Sequence, residues 1–341
     1  MKHYKIMRRG LSILLSLLLC LSLLPTVAFA EEASDGTAEI QLGAGGIQTN
    51  DVVYYGVYTE DGTNYEIPWY ALDTNGFLLS KYTIGTSIFR NKGDNGYYNY
   101  STTRMCEDSS VLKKIMDGLY NGAGTTLFSD LEQGAIKKTT LTGESMHDSS
   151  TPSVQAHLFP LSRSEVRSIE KSHWKTQEIT DPEGKGQDWW IRTSDDDNLA
   201  NYMYSMGSSN TYIDVSKAVR PAFNLNLDAV LFTSAAVGGK NGVNIGLKKV
   251  GDNNGNEWKL TLKDSSRKFA VTETTASCKP GDAITLNYTG ATIKTDDAPN
   301  EYISAVIADS SGIQYYGKIA QPTTEAGAIR ITIPFSLADV R

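Results

Sequence analysis

Two short runs decide how this chain is read: Trp189-Trp190-Ile191-Arg192-Thr193 and Val219-Arg220-Pro221-Ala222-Phe223. Both are rich in the aromatic and β-branched residues that strands favour. Neighbours on a strand point to opposite faces. One of the adjacent tryptophans, Trp189, is therefore expected in a core, and Trp190 toward a groove or the second domain. Each run also sets one arginine, Arg192 or Arg220, among apolar residues. Such an arginine either recognises a ligand carboxylate or pairs with an acid of its own domain. The second role is expected here, with Asp73 or Asp228 as the partner.

Between the runs lies Asp195-Asp196-Asp197-Asn198, followed by a Tyr/Ser/Asn/Gly-rich segment to Tyr212. That composition suits adaptable recognition loops: Tyr gives contact area at low entropic cost, while Ser and Asn give adjustable hydrogen bonds. The segment is expected to be a loop, with Trp190, Asn201, Tyr202, Tyr204, Asn210 and Tyr212 meeting a ligand. The clustered carboxylates of Asp195, Asp196 and Asp197 suit calcium, against the plainer reading of a solvated loop. No other cofactor is expected. Asp252, Asn254 and Asn256 also alternate, but Glu257 stands where a calcium loop needs glycine and Lys263 where it needs Glu. A hairpin over residues 247–262 is the better reading there.

Upstream, Val52-Val53-Tyr54-Tyr55, Ile67-Pro68-Trp69-Tyr70-Ala71 and Phe77-Leu78-Leu79 read as strands, with Trp69 a structural residue. Turns fall at Glu60-Asp61-Gly62-Thr63 and Thr74-Asn75-Gly76, the second an Asn-Gly hairpin cue. Three helices follow. Leu112, Ile115, Met116, Leu119 and Tyr120 recur at helical spacing over residues 109–121. Ser129 with Glu132, and Ser162 with Glu165, have capping-box spacing, and Leu161 with Val166 has the spacing of a hydrophobic staple.

From residue 264 the texture changes to short alternating runs, such as Ile284-Thr285-Leu286-Asn287-Tyr288 and Ile329-Arg330-Ile331-Thr332-Ile333. Turn signals separate them, the pattern of an antiparallel sandwich. A sandwich of the immunoglobulin type takes about 100 residues. Residues 264–341 supply about 78, so the sandwich is expected to be incomplete within this chain.

At the N-terminus, Lys2, Lys5, Arg8 and Arg9 precede an apolar run from Leu11 to Leu24, then Pro25 and Ala28-Phe29-Ala30. Charge, apolar run and small-residue site in that order are a secretory signal over residues 1–30. The run is too short for a membrane anchor, which needs about 20 apolar residues. Without its four basic residues the chain keeps 28 of its 32 Lys+Arg against 39 Asp+Glu, a net charge of −11. That balance argues against nucleic acid and anionic lipid as partners. Cys106 and Cys278 are far apart and form no disulfide framework. The spacing of His147, His157 and His173 fits no zinc motif. No Gly-x-Ser-x-Gly elbow marks a hydrolase.

Six blocks carry a resemblance: Ile67-Pro68-Trp69-Tyr70-Ala71-Leu72-Asp73, Leu78-Leu79-Ser80-Lys81-Tyr82, Phe128-Ser129-Asp130-Leu131-Glu132, Phe159-Pro160-Leu161-Ser162 and the two opening runs. In this order they resemble an uncharacterised domain family of secreted proteins from clostridia-like bacteria. The usual form of one block is Trp-Trp-Leu-Arg-Ser-Pro, where this chain has Trp190-Ile191-Arg192-Thr193-Ser194 after Trp189. The last two blocks also resemble the closing strands of the C-type-lectin-like fold in its formylglycine-generating-enzyme form. Neither that enzyme's cysteine pair nor the lectin calcium motifs Glu-Pro-Asn and Trp-Asn-Asp are present. Residues 264–341 are similar to immunoglobulin-like modules of bacterial surfaces.

The expected architecture is α+β: a signal over 1–30, a stub over 31–50, a C-type-lectin-like mixed domain over 51–262 and an all-β immunoglobulin-like sandwich over 264–341. The expected function is a noncatalytic, extracellular binding module, secreted or attached to a Gram-positive cell surface, contacting glycan or protein. A structural stalk and an enzyme acting on cell-wall or host polymers are the alternatives. Expression with export from a bacterial host should yield a secreted chain that begins at Glu31. Intact-mass measurement checks this, and a chain that keeps residues 1–30 overturns it.

Overall fold

The computed structural model describes residues 15–18, 40–90, 111–142, 153–194, 199–237, 246–251, 255–293 and 301–334. It is β-rich, with several sheets and three short α-helices among the described residues. The first strands are β1 (Leu15–Leu18), β2 (Ile40–Leu42), β3 (Val52–Glu60), β4 (Thr63–Ala71), β5 (Phe77–Ser80) and β6 (Thr86–Ile88). Then come α1 (Val111–Asn121), α2 (Asp130–Ala135), β7 (Ile136–Lys137), β8 (Thr139–Thr142), β9 (Ser153–Ala156) and α3 (Arg163–Ser168). The middle of the chain forms β10 (Trp189–Ser194), β11 (Leu199–Tyr204), β12 (Gly207–Tyr212), β13 (Ser216–Ala218), β14 (Ala222–Leu225) and β15 (Val230–Ala235). The rest is β16 (Lys248–Lys249), β17 (Glu257–Leu262), β18 (Ala270–Val271), β19 (Ala283–Thr289), β20 (Ile303–Asp309), β21 (Gly312–Ala320) and β22 (Gly327–Thr332).

The chain makes two compact units. The larger holds residues 46–231 and 256–262, and the smaller holds 1–45, 232–255 and 263–341. Residues 232–255, expected in the first domain, thus belong with the second. Pairing explains the change. β16 lies antiparallel to β21, with Lys248 opposite Tyr316, and Phe232 meets the Tyr316 ring edge-on at 5.9 Å. The expected hairpin over 247–262 is not formed, because β17 instead runs parallel to β3, with Trp258 opposite Val53. The proposed turn at Asp252-Asn253-Asn254 lies outside the described residues.

In the larger unit one sheet has the order β17-β3-β4-β5-β14-β7 and a second has β12-β11-β10-β13-β6. The β3–β4 turn places Asp61 at φ 50° and Gly62 at φ 76°. Two positive φ values are the type I′ geometry that matches strand twist. Both capping boxes form. The Ser129 amide reaches Glu132 Oε2 at 2.8 Å, and the Ser162 amide reaches Glu165 Oε2 at 2.7 Å. Leu161 and Val166 are buried beside the second box.

The core of this unit gathers on Trp69. Its ring meets Phe223 edge-on at 4.7 Å and Phe128 at 6.2 Å, and its indole nitrogen donates to Tyr55 O at 2.7 Å. β3 bulges between Tyr54 and Val57, at Gly56, which has φ 77°. The bulge lets the Val57 amide bond Leu127 O at 2.8 Å. A Cβ on Gly56 would stand 2.7 Å from that same oxygen and 2.8 Å from the Phe128 ring. Glu132 closes the junction, accepting from the Gly56 amide at 3.2 Å.

The smaller unit has one sheet of order β1-β20-β21-β16 and another of order β18-β19-β22. Leu286, Ile329 and Ile331 from the second share a core with Ile303, Ala305, Ile307 and Tyr315 from the first. The side chains alternate in and out along β19 and β22, as their sequences predict.

Gly56→Ala combines a left-handed backbone with a backbone clash. It should destabilise the protein by about 2–3 kcal/mol, read as a lowered urea midpoint at an unchanged slope.

Candidate functional site

The segment expected to be a recognition loop is a β-ribbon. β11 and β12 pair without interruption from Leu199↔Tyr212 to Tyr204↔Gly207, turning on Ser205 and Met206. The alternation that builds it is legible in retrospect: Asn201 and Met203 are buried, while Tyr202 and Tyr204 are half-exposed. Gly207 takes φ 138°, which suits glycine at the end of a two-residue turn.

Strand β10 holds this ribbon in place. Trp189 pairs with Met203 and Trp190 with Tyr202, so the two indoles lie on opposite faces, as strand geometry requires. Both are completely buried. Trp189 Nε1 donates to Trp174 O and Trp190 Nε1 to Ser87 O, each at 2.7 Å. The Trp190 ring also meets Phe89 edge-on at 5.5 Å. Trp190 is therefore a structural anchor and not a ligand contact. Asn201 is corrected in the same way: its Nδ2 donates to Thr193 O at 3.1 Å in the interior.

Tyr202 and Tyr204 remain on one face of the ribbon, their ring centroids 6.0 Å apart. Lys217 of β13 places its Nζ 3.9 Å from the Tyr202 centroid and bonds Asp188 Oδ2 at 3.2 Å. The Trp174 ring comes within 3.9 Å of where a Cβ on Gly207 would stand, and Lys171 Nζ lies 5.7 Å from that ring. The face thus joins the Tyr202 and Tyr204 rings with the Lys217 ammonium, while Trp174, with Lys171 over its ring, approaches the ribbon at Gly207. Lys217, Trp174 and Lys171 were not singled out from sequence, because they lie outside the Tyr/Ser/Asn-rich segment. Asn210 is exposed on the edge strand β12. Tyr212 on the same strand is 57% exposed, and Met206 at the ribbon tip is 79% exposed. Asp195, Asp196 and Asp197 lie outside the described residues, and the described residues hold no group of three or more His, Cys, Asp or Glu able to take a metal.

The two arginines part company. Arg192 binds Glu165 with both terminal nitrogens, Nη2 to Oε1 at 2.7 Å, and donates to Pro160 O at 3.1 Å. Glu165 thus serves the α3 capping box and the ion pair at once. The expected partner Asp73 is instead committed to the β4–β5 turn, accepting from the Asn75 and Phe77 amides at 2.8 and 3.0 Å. Asp228 is exposed beside Asn226. Arg220 is fully buried and meets no carboxylate among the described residues. Its Nε donates to Ser80 O at 2.8 Å, its Nη1 to His173 O at 2.5 Å, and its guanidinium lies 4.8 Å from the Trp189 ring centroid. Burial pushes its pKa down to about 9, so the charge survives at neutral pH.

Residues 73–227 match the family model of a domain of unknown function, DUF6273. The DUF6273 region runs from the Asp73 turn through both capping boxes, the tryptophan strand and the ribbon to Arg220. It thus holds every residue of the aromatic face. No curated protein and no solved structure matches this chain. Among the described residues no helix is long and apolar enough to cross a membrane.

His173 reports on this scaffold. Its ring stacks on Tyr70 at 3.8 Å. Burial, with help from Arg220 and Lys81, holds its pKa below the usual histidine range. A histidine kept neutral in the fold takes up its proton more readily when unfolded. The stability it supports is complete above its unfolded pKa and falls as pH drops toward the folded value. Denaturation midpoints should therefore decline below about pH 6.5, and His173→Gln should flatten that part of the decline relative to the parent. An unchanged pH profile in the variant would contradict the assignment.

Proposed function

We propose that the protein is a noncatalytic extracellular binding module that takes glycan on the aromatic face of the β11–β12 ribbon. The observation that carries this reading is the pair of half-exposed rings, Tyr202 and Tyr204, on one ribbon face with the Lys217 ammonium over Tyr202, and the Trp174 ring, with Lys171 over it, near the ribbon at Gly207. Aromatic rings give flat, amphipathic surfaces with a polar handle. The apolar C–H face of a sugar packs on such rings, while ammonium groups and tyrosine hydroxyls serve its oxygens. An ammonium already resting on a ring is also held in place, which lowers the entropy lost on binding. The rigid strand below the ribbon supports the same reading, since preorganised groups bind more tightly.

The likeness of the closing strands to the C-type-lectin-like fold suits a ligand face at this position. The smaller unit then serves as an immunoglobulin-like spacer in a secreted or surface-attached protein. Fold likeness alone does not assign function, so the reading rests on the face. A second reading, contact with a protein, is favoured by Met206 and Tyr212, which place apolar surface at the tip and open edge of the ribbon. Calcium at Asp195, Asp196 and Asp197 would belong to either reading as an accessory cation.

The test is a glycan array followed by titration of the best ligand. Tyr202→Ala with Tyr204→Ala should weaken binding at least about tenfold while leaving the melting temperature within a few degrees. Tyr212→Ala should leave glycan binding intact and weaken a protein partner. A double tyrosine variant that binds as the parent does overturns the assignment.

A further inference from the structure

Strand β1 falls inside the apolar run of the leader, residues 11–24. It is the outermost strand of its sheet and pairs antiparallel with β20, from Leu18↔Ser304 to Leu15↔Ile307. Removal of residues 1–30 takes this strand away and leaves the outer edge of β20 open. We propose that the processed protein closes that edge with a second copy of itself, β20 against β20 across a two-fold axis. This rests on removal of the leader and is independent of what the ribbon binds.

The sequence of β20 is that of an interior strand. All five residues from 303 to 307 are buried, and the strand carries no charge before Asp309. Burial on both faces leaves the strand no solvent-facing charge from 303 to 307 to guard its lateral edge. Edge strands usually carry a guard: a lysine, a proline, a short length or a bulge. The edges at β16, β18 and β22 have one. β16 is two residues long and both are lysine, β18 is two residues long, and β22 exposes Arg330. Along β20 the only irregularities are register shifts against β21, at Ile303/Ser304 and Ile307/Ala308. The straight stretch between them, 304–307, is the one that β1 occupies.

A second copy suits this stretch for two reasons. A two-fold axis pairs a strand with itself in the antiparallel sense, the sense in which β1 already runs. The opposed residues would be Ser304, Ala305, Val306 and Ile307, so no like charges meet. Asp309 stays out of the pairing, because the Ser311 amide and hydroxyl engage its carboxylate at 2.8 and 2.6 Å. Pairing of backbone edges in this way is strand addition, with main-chain hydrogen bonds supplying affinity.

Analytical ultracentrifugation of the chain from Glu31 onward, between about 1 and about 100 µM, should show a monomer passing to a dimer. Consecutive amides of a strand point to opposite edges, so of Ala305→Pro and Val306→Pro one removes a donor from the open edge. That variant should remain folded by circular dichroism and lose the dimer at least tenfold. Hydrogen exchange of residues 303–309 needs no variant: protection there should rise with protein concentration. A chain that stays monomeric at about 100 µM overturns the proposal. So does a dimer in which exchange at 303–309 is the same at both concentrations.

Discussion

The larger unit depends on two adjacent indoles whose nitrogens are both satisfied by backbone. Trp189 and Trp190 face opposite ways from one strand, and each donates to a carbonyl of a distant segment, Trp174 O and Ser87 O. Burying a large ring contributes roughly 2–3 kcal/mol through its area. An indole N–H left without a partner would give back about 1–3 kcal/mol of that. With both nitrogens bonded, β10 is fixed in depth and in register. The ribbon inherits that precision, since β11 pairs directly with Trp189 and Trp190. Tyr202 and Tyr204 can then stay half-exposed without the flexibility that a loop would bring.

The arginines show two ways to keep a guanidinium out of water. Desolvating such a group costs several kcal/mol, and a carboxylate offsets this only in good geometry. Arg192 has that geometry, with both terminal nitrogens on Glu165, whose position is already set by the Ser162 capping box. Arg220 has no such partner among the described residues. Its charge is met by two carbonyl oxygens and by the electron-rich face of Trp189. Those contacts tie β5, the segment at His173 and the tryptophan strand to one side chain. Lysine has neither the flat stacking surface nor the forked donors to make the same three contacts.

Local signals in the sequence were the legible ones. Both capping boxes, the Asp61-Gly62 turn, the apolar face of α1 and the strands of the smaller unit need only neighbours within a few residues to be recognised. The amphipathic alternation of 199–204 was equally local, but the Tyr/Ser/Asn/Gly composition masked it. What sequence did not show is pairing at long range. Trp190 differs from Trp189 only in which face it takes, and nothing local says that Phe89 and Ser87 cover the second face. The partner of Arg192 was missed for a related reason: Glu165 reads as a cap, and one carboxylate can hold two roles. Lys217 and Trp174 come near the ribbon only because β13 pairs beside β10 and the segment at Trp174 approaches Gly207 in space.

The division of the chain follows the same logic. Residues 232–255 continue directly from the larger unit in sequence, yet β16 completes the β20–β21 sheet and Phe232 packs on Tyr316. The last strand of the larger unit, β17, is then supplied after this excursion and aligns parallel to β3, secured by Trp258 Nε1 on Asp51 Oδ2 at 2.8 Å. The chain passes between its units four times, at 45/46, 231/232, 255/256 and 262/263, so each unit is completed by strands brought in from distant sequence.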